Sequence, residues 1–128
     1  MISQQQFMHL VPTVCSKETS SDPIGWTDQN PLYGHCVPVT LLAQDLFGGE
    51  IAKVSLEGSS YRNMKSHFLN VINGVPVDFS QAQFGGEVPY SISEMIIGER
   101  DKVIAQGNTQ ERYEVLKKRF LNTHEILD

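Results

Sequence analysis

No stretch of this chain stays apolar for the roughly 20 residues that a membrane-spanning helix needs. The longest strongly apolar run is Val37 to Ala43. A Lys/Arg-rich tract is missing as well: 10 basic residues stand against 15 acidic ones, a formal balance of −5. That charge repels phosphate backbones and argues against general nucleic-acid binding. The N-terminal residues lack an early Lys or Arg ahead of an apolar stretch, which is how a secretory signal opens, so a cytoplasmic protein is expected. Cysteine is sparse, with only Cys15 and Cys36. A domain of this size folds without a disulfide and a reducing compartment would not keep one, so each is read as a separate thiol. There is no internal repeat, and the one biased patch, Gln4 to Gln6, is too short to carry meaning.

What is present suffices for one domain over residues 1–128: 40% of the residues are hydrophobic and 20% charged, enough for both a core and a solvated surface. Apolar Phe7, Leu10, Val11 and Val14 recur at helical spacing from Ile2 to Val14, with Pro12 kinking or ending that helix. Ser16 to Tyr33 is aperiodic and predicts a long ordered loop around Trp26. Cys36 to Phe47 is the strongest helix, almost wholly apolar, with Pro38 tolerated in its first turn and Gly48-Gly49 as its stop. A strand is expected over Glu50 to Leu56, and two more over Ser66 to Ile72 and Val75 to Phe79, joined by Asn73-Gly74. That dipeptide suits a type I′ hairpin turn because both central positions need positive φ. Ser91 to Ala105 fits either a helix with Ser91 and Glu94 as a capping box or a short strand ending at Gly98. Asn108 to Leu121 reads as a helix capped by Asn108, with Tyr113, Leu116 and Phe120 facing inward. The fold class expected is α+β.

A cysteine at the first residue of a helix meets unpaired backbone N–H groups and the positive end of the helix dipole, which favour thiolate over thiol. A two-residue hairpin loop pairs Ile72 with Val75, Asn70 with Val77 and His67 with Ser80. His67 and Asp78 then share a face as diagonal neighbours, while Phe68, Ile72, Val75, Val77 and Phe79 fill the opposite, buried face and fix the register. Cysteine, histidine and acid therefore follow in the order and placement that nucleophilic thiol chemistry needs: a base for the thiol proton and a carboxylate to orient the base. The Cys36 amide is one backbone donor for an oxyanion, and Asn30 and Trp26 in the preceding loop, with the adjacent His35, are side-chain candidates for oxyanion or substrate contacts. A metal site built from Cys36, His35, His67 and Asp78 is disfavoured, because the spacing is not that of a structural zinc motif.

Glu18-Thr19, Trp26, Asn30-Pro31, Gly34-His35-Cys36, Thr40, Gln44-Asp45 and Phe47 to Ile51, followed by Ser66 to Asn70, Val77 to Ser80, Gln83-Phe84 and Arg112-Tyr113, resemble the YunG-like family of small bacterial proteins. The resemblance spans nearly the whole chain. It implies a papain-like or NlpC/P60-like fold, in which N-terminal helices and a buried Cys-bearing helix pack on an antiparallel sheet, with a C-terminal helix added. It places the nucleophile on Cys36, the base on His67 and the orienting acid on Asp78, and Asn30 matches a side-chain oxyanion donor in spacing. The sequence departs from the pattern at His35, where Gln is usual, and at Pro38, where a small or β-branched residue is usual. The expected activity is a cysteine-dependent hydrolase or acyltransferase, without cofactor, acting on an amide, thioester or peptide-like small substrate. A non-catalytic module that binds a ligand or protein in the same cleft is the alternative.

Overall fold

Ser3 opens the first helix with a reciprocal cap, its hydroxyl accepting from the Gln6 amide at 3.1 Å and its own amide donating to Gln6 Oε1 at 2.8 Å. The computed structural model, which describes residues 2–123, ends this helix α1 at Gln4–Leu10. Pro12 lacks the N–H that would continue it, so Val11–Val14 tightens into a 3₁₀ turn. The segment expected as one helix is thus two pieces that bury Phe7, Val11 and Val14. Helix α2 spans Cys36–Phe47. It stops at Gly48, and at Gly49 (φ 80°) an added Cβ would fall 2.2 Å from the Val71 carbonyl oxygen, so only glycine lets the chain pass the sheet there.

The sheet is four-stranded and antiparallel in the order β3-β2-β1-β4, from β1 Glu50–Ser55, β2 Ser66–Ile72, β3 Val75–Val77 and β4 Ile96–Gly98. Asn73 and Gly74 both take positive φ, 52° and 77°, and the hairpin pairs Ile72 with Val75 and Asn70 with Val77. The pairing stops one residue before Asp78, so the expected partnership of His67 with Ser80 does not form; His67 pairs across to Val54 of β1 instead. The reason is local. Asp78 Oδ1 accepts from the Ser80 amide at 3.0 Å, turning the chain into the 3₁₀ turn Gln81–Phe84 rather than onward as strand. Val75, expected in the buried face, lies on the outermost strand and is 58% exposed.

Of the two alternatives for Ser91 to Ala105, the short strand ending at Gly98 forms, as β4 on the edge of β1, whereas Ile92–Glu94 is a 3₁₀ turn and the helix α3, Arg100–Ile104, begins only after Glu99. The Ser91 hydroxyl bonds Ser93, at 2.8 Å, and makes no cap. Helix α4, Thr109–Thr123, lays Tyr113, Leu116 and Phe120 against α2, which packs on β2 as well. Phe7 sits at the centre of this layer, meeting Phe47, Phe79 and Phe120 edge-on at 5.1 to 5.6 Å. Among the described residues no helix is long and apolar enough to cross a membrane.

Candidate functional site

Helix α2 is held by burial of Val39, Leu41, Leu42 and Ala43, and that packing fixes where its first residue lies. Cys36 is half-buried and opens on a cleft of about 510 Å³, whose walls include Asp22, Tyr33, Asn63, Met64 and Phe68. Cys15 is the contrasting thiol. It is buried in the core, donates to the Val11 carbonyl at 3.4 Å, and burial pushes its pKa from 9.0 up to about 12, against a small opposing pull from Arg119. At the mouth of the cleft the Tyr33 hydroxyl and the Gly25 amide hold the Asp22 carboxyl below its usual range.

His67 is wholly buried. Its Nε2–H donates to Asp78 Oδ2 at 2.7 Å, and because an ionised carboxylate only accepts, that bond fixes the proton on Nε2. Nδ1 is buried with no hydrogen-bond partner among the described residues. Burial pulls the imidazole toward neutrality. The Asp78 bond and the neighbouring Cys36 thiol outweigh it, lifting His67 from 6.5 to about 9. The ring is clamped between Phe84, edge-on at 4.9 Å, and Tyr90, stacked at 5.4 Å. The Tyr90 hydroxyl donates at 2.7 Å to the same Oδ2 that takes the His67 proton, while Ser80 supplies its amide and hydroxyl to Oδ1. Burial, and then this carboxylate, raise the Tyr90 phenol. Every lone-pair direction of Asp78 is thus committed, and its side chain is only 8% exposed.

The structure brings Cys36, His67 and Asp78 together and gives the other three expected residues different partners. His35, at the N-cap of α2, is fully buried. Its Nδ1–H donates to the Tyr33 carbonyl at 2.9 Å, so Nε2 is the acceptor and takes the Thr19 hydroxyl at 2.6 Å. Burial depresses this histidine from 6.5 to about 4, with the nearby Arg112 charge acting in the same direction against the Tyr33 bond. Asn30 Nδ2 donates to the Gln83 carbonyl at 3.0 Å, and Trp26 Nε1 closes its own loop on the Pro31 carbonyl at 2.9 Å. With both His35 nitrogens engaged, no group of three His, Cys, Asp or Glu among the described residues is arranged to hold a metal.

Sequence reasoning missed Tyr90 as a partner of Asp78. It lies 12 residues downstream in a loop, and no local pattern marks it. It also missed the supports behind the helix start. Arg112 binds the Thr19 carbonyl, and Gln83 Oε1 receives the Gly34 amide at 3.4 Å. Their signal was present: Thr19, Gln83 and Arg112 are among the residues that carry the family resemblance.

Fold and site together define an α+β protein with a thiol at a helix start facing a carboxylate-anchored, buried imidazole. The chain belongs to the YunG family: the family model described as YunG protein matches residues 3–125. A relative in Bacillus subtilis (strain 168), named Uncharacterized protein YunG, is 35% identical over 95 residues, which is 74% of either chain. No solved structure matches.

Proposed function

We propose that the protein is a cysteine-dependent hydrolase or acyltransferase acting on an amide, peptide-like or thioester bond, with a papain-like arrangement of helix and sheet. The observation that carries this is His67, whose Nε2 is tied to Asp78, whose Nδ1 is buried without a hydrogen-bond partner among the described residues, and whose charged form is favoured by the nearby Cys36. In this chemistry the thiol proton already resides on Nδ1 as a thiolate–imidazolium pair, as the raised His67 value favours, and the thiolate sulfur attacks the substrate carbonyl carbon. The Cys36 amide, which as the first helical N–H has no partner inside α2, supports the oxyanion. Collapse expels an amine or thiol that leaves with the proton from Nδ1. Water, or an amine acceptor in the transferase case, then releases the acyl group from sulfur and gives its own proton to the same nitrogen.

The test offers short acyl thioesters, esters and anilides to the native protein and reads peptide masses and product release. An acyl adduct on Cys36, or turnover that disappears in Cys36→Ser, supports the proposal. If no donor acylates Cys36, and alkylation of Cys36 neither exceeds that of an ordinary exposed thiol nor depends on His67, the cleft is a binding module.

A further inference from the structure

Arg112 is buried, 8% exposed, on the first turns of α4, and among the described residues no carboxylate pairs with it. Its guanidinium is held by neutral acceptors: Nε to Asn108 Oδ1 at 3.0 Å, Nη1 to the Thr19 carbonyl at 3.2 Å and Nη2 to Thr109 Oγ1 at 3.3 Å. A buried cation without a counter-charge is costly and seldom kept without a use. From Thr19 the chain of contacts runs on through the Thr19 hydroxyl to His35 Nε2 and from His35 Nδ1 to the Tyr33 carbonyl. His35 is the residue before Cys36. The arrangement places an uncompensated positive charge behind the end of α2 that already carries the positive pole of the helix, and the mutual electrostatic influence of Arg112 with both His35 and Cys36 accords with that proximity.

We infer that Arg112 is a positioning residue of the thiol site, its guanidinium, which no carboxylate among the described residues neutralises, holding the field at the start of α2 positive from behind the Thr19 and His35 contacts. This rests on the proposed thiol chemistry. Among the described residues, charged or titratable groups placed at Cys36 and its cleft include His67 from β2 with Asp78 and Tyr90 beyond it, Asp22 and Tyr33 from the loop walling the cleft, and His35 at the cap. Asp22 opposes the thiolate. A cation on the far side of the helix end offsets that carboxylate without filling the cleft.

The experiment follows the pH profile of Cys36 alkylation, mapped by mass, with folding checked by circular dichroism. Arg112→Met should slow alkylation at pH 7 about three- to tenfold and move the profile to higher pH, with the high-pH plateau unchanged; a tenfold loss corresponds to about one pH unit. Because that variant removes three hydrogen bonds, two of them buried, Asn108→Asp is the decisive companion. It puts a carboxylate on the guanidinium without changing side-chain shape, at a helix N-cap where Asp is favoured. Alkylation should slow about threefold while thermal stability holds or rises, and Gln110→Glu, adding the same charge on the exposed side of α4, should leave the rate within twofold. A purely structural Arg112 gives the opposite result for Asn108→Asp: stability up, alkylation profile unmoved. That outcome overturns the inference whatever Arg112→Met does. Failure of the thiol chemistry itself shows differently, as a wild-type profile indifferent to His67→Ala.

Discussion

Two wholly buried imidazoles flank the start of α2, and the protein treats them in opposite ways. His35, on the α4 side, has both nitrogens bonded to neutral oxygens and a guanidinium nearby, and is held neutral with its pKa near 4. His67, on the sheet side, is bonded to a carboxylate and adjoins a thiol, and is lifted to about 9. Equal burial disfavours the charged form in both. The partners decide the outcome, and they turn one histidine into a spacer and the other into a base.

The largest effect that would sharpen this contrast is in acid. A histidine depressed from 6.5 to about 4 favours folding fully above the unfolded value, and that contribution is lost as pH falls from 6.5 through 4, about 3 kcal/mol in all. Denaturant unfolding at pH 7, 5 and 4 should show this slope in the wild type and a flatter one in His35→Gln; equal slopes would mean that His35 is not the neutral member of the pair. His67 works with the reverse sign. Its raised value adds stability below 6.5 that is lost as pH rises toward 9, a loss that should shrink in Asp78→Asn, where only Cys36 still favours the charged ring.

Next in size is the kinetic consequence. Asp78→Asn and His67→Ala should each slow Cys36 alkylation at pH 7 by about 50-fold, within the range that a positioned base supplies, and the double mutant should lose little more. Additive losses in the double mutant would separate Asp78 from the imidazole. A smaller change is expected from Tyr90→Phe, which keeps the ring on His67 but removes a donor from Asp78 Oδ2. Its melting should report about 1 kcal/mol of lost stability. Smallest is Asn30→Ala, which releases one loop bond to the Gln83 carbonyl. Stability should fall by about 0.5 kcal/mol and Cys36 alkylation stay within twofold; a tenfold drop would bring the Asn30 amide into the site.

Local chemistry along the chain determined more of this site than its size suggests. A proline in the first turn and a double glycine at the end delimit α2 and so put Cys36 at the helix start, while Asn73-Gly74 sets the register that places His67 and Asp78 within reach of each other. These are short-range rules, obeyed because turn geometry and capping are satisfied within a few residues. The stop at Val77 was less legible, since Asp78 had to choose between continuing a strand and binding the Ser80 amide. The split role of residues 91–105 depended on whether a β1 edge stood ready to receive Ile96 to Gly98. Only the tertiary structure decided that His35 would be sealed against Thr19 and Tyr33, that Asn30 would hold Gln83, and that Tyr90 and Arg112 would arrive from 12 and 93 residues away to meet Asp78 and Thr19. Such contacts follow from how the loops and α4 close over the helix end, and a long-range closure leaves no periodic mark in the sequence because its register is set by packing rather than by neighbours along the chain.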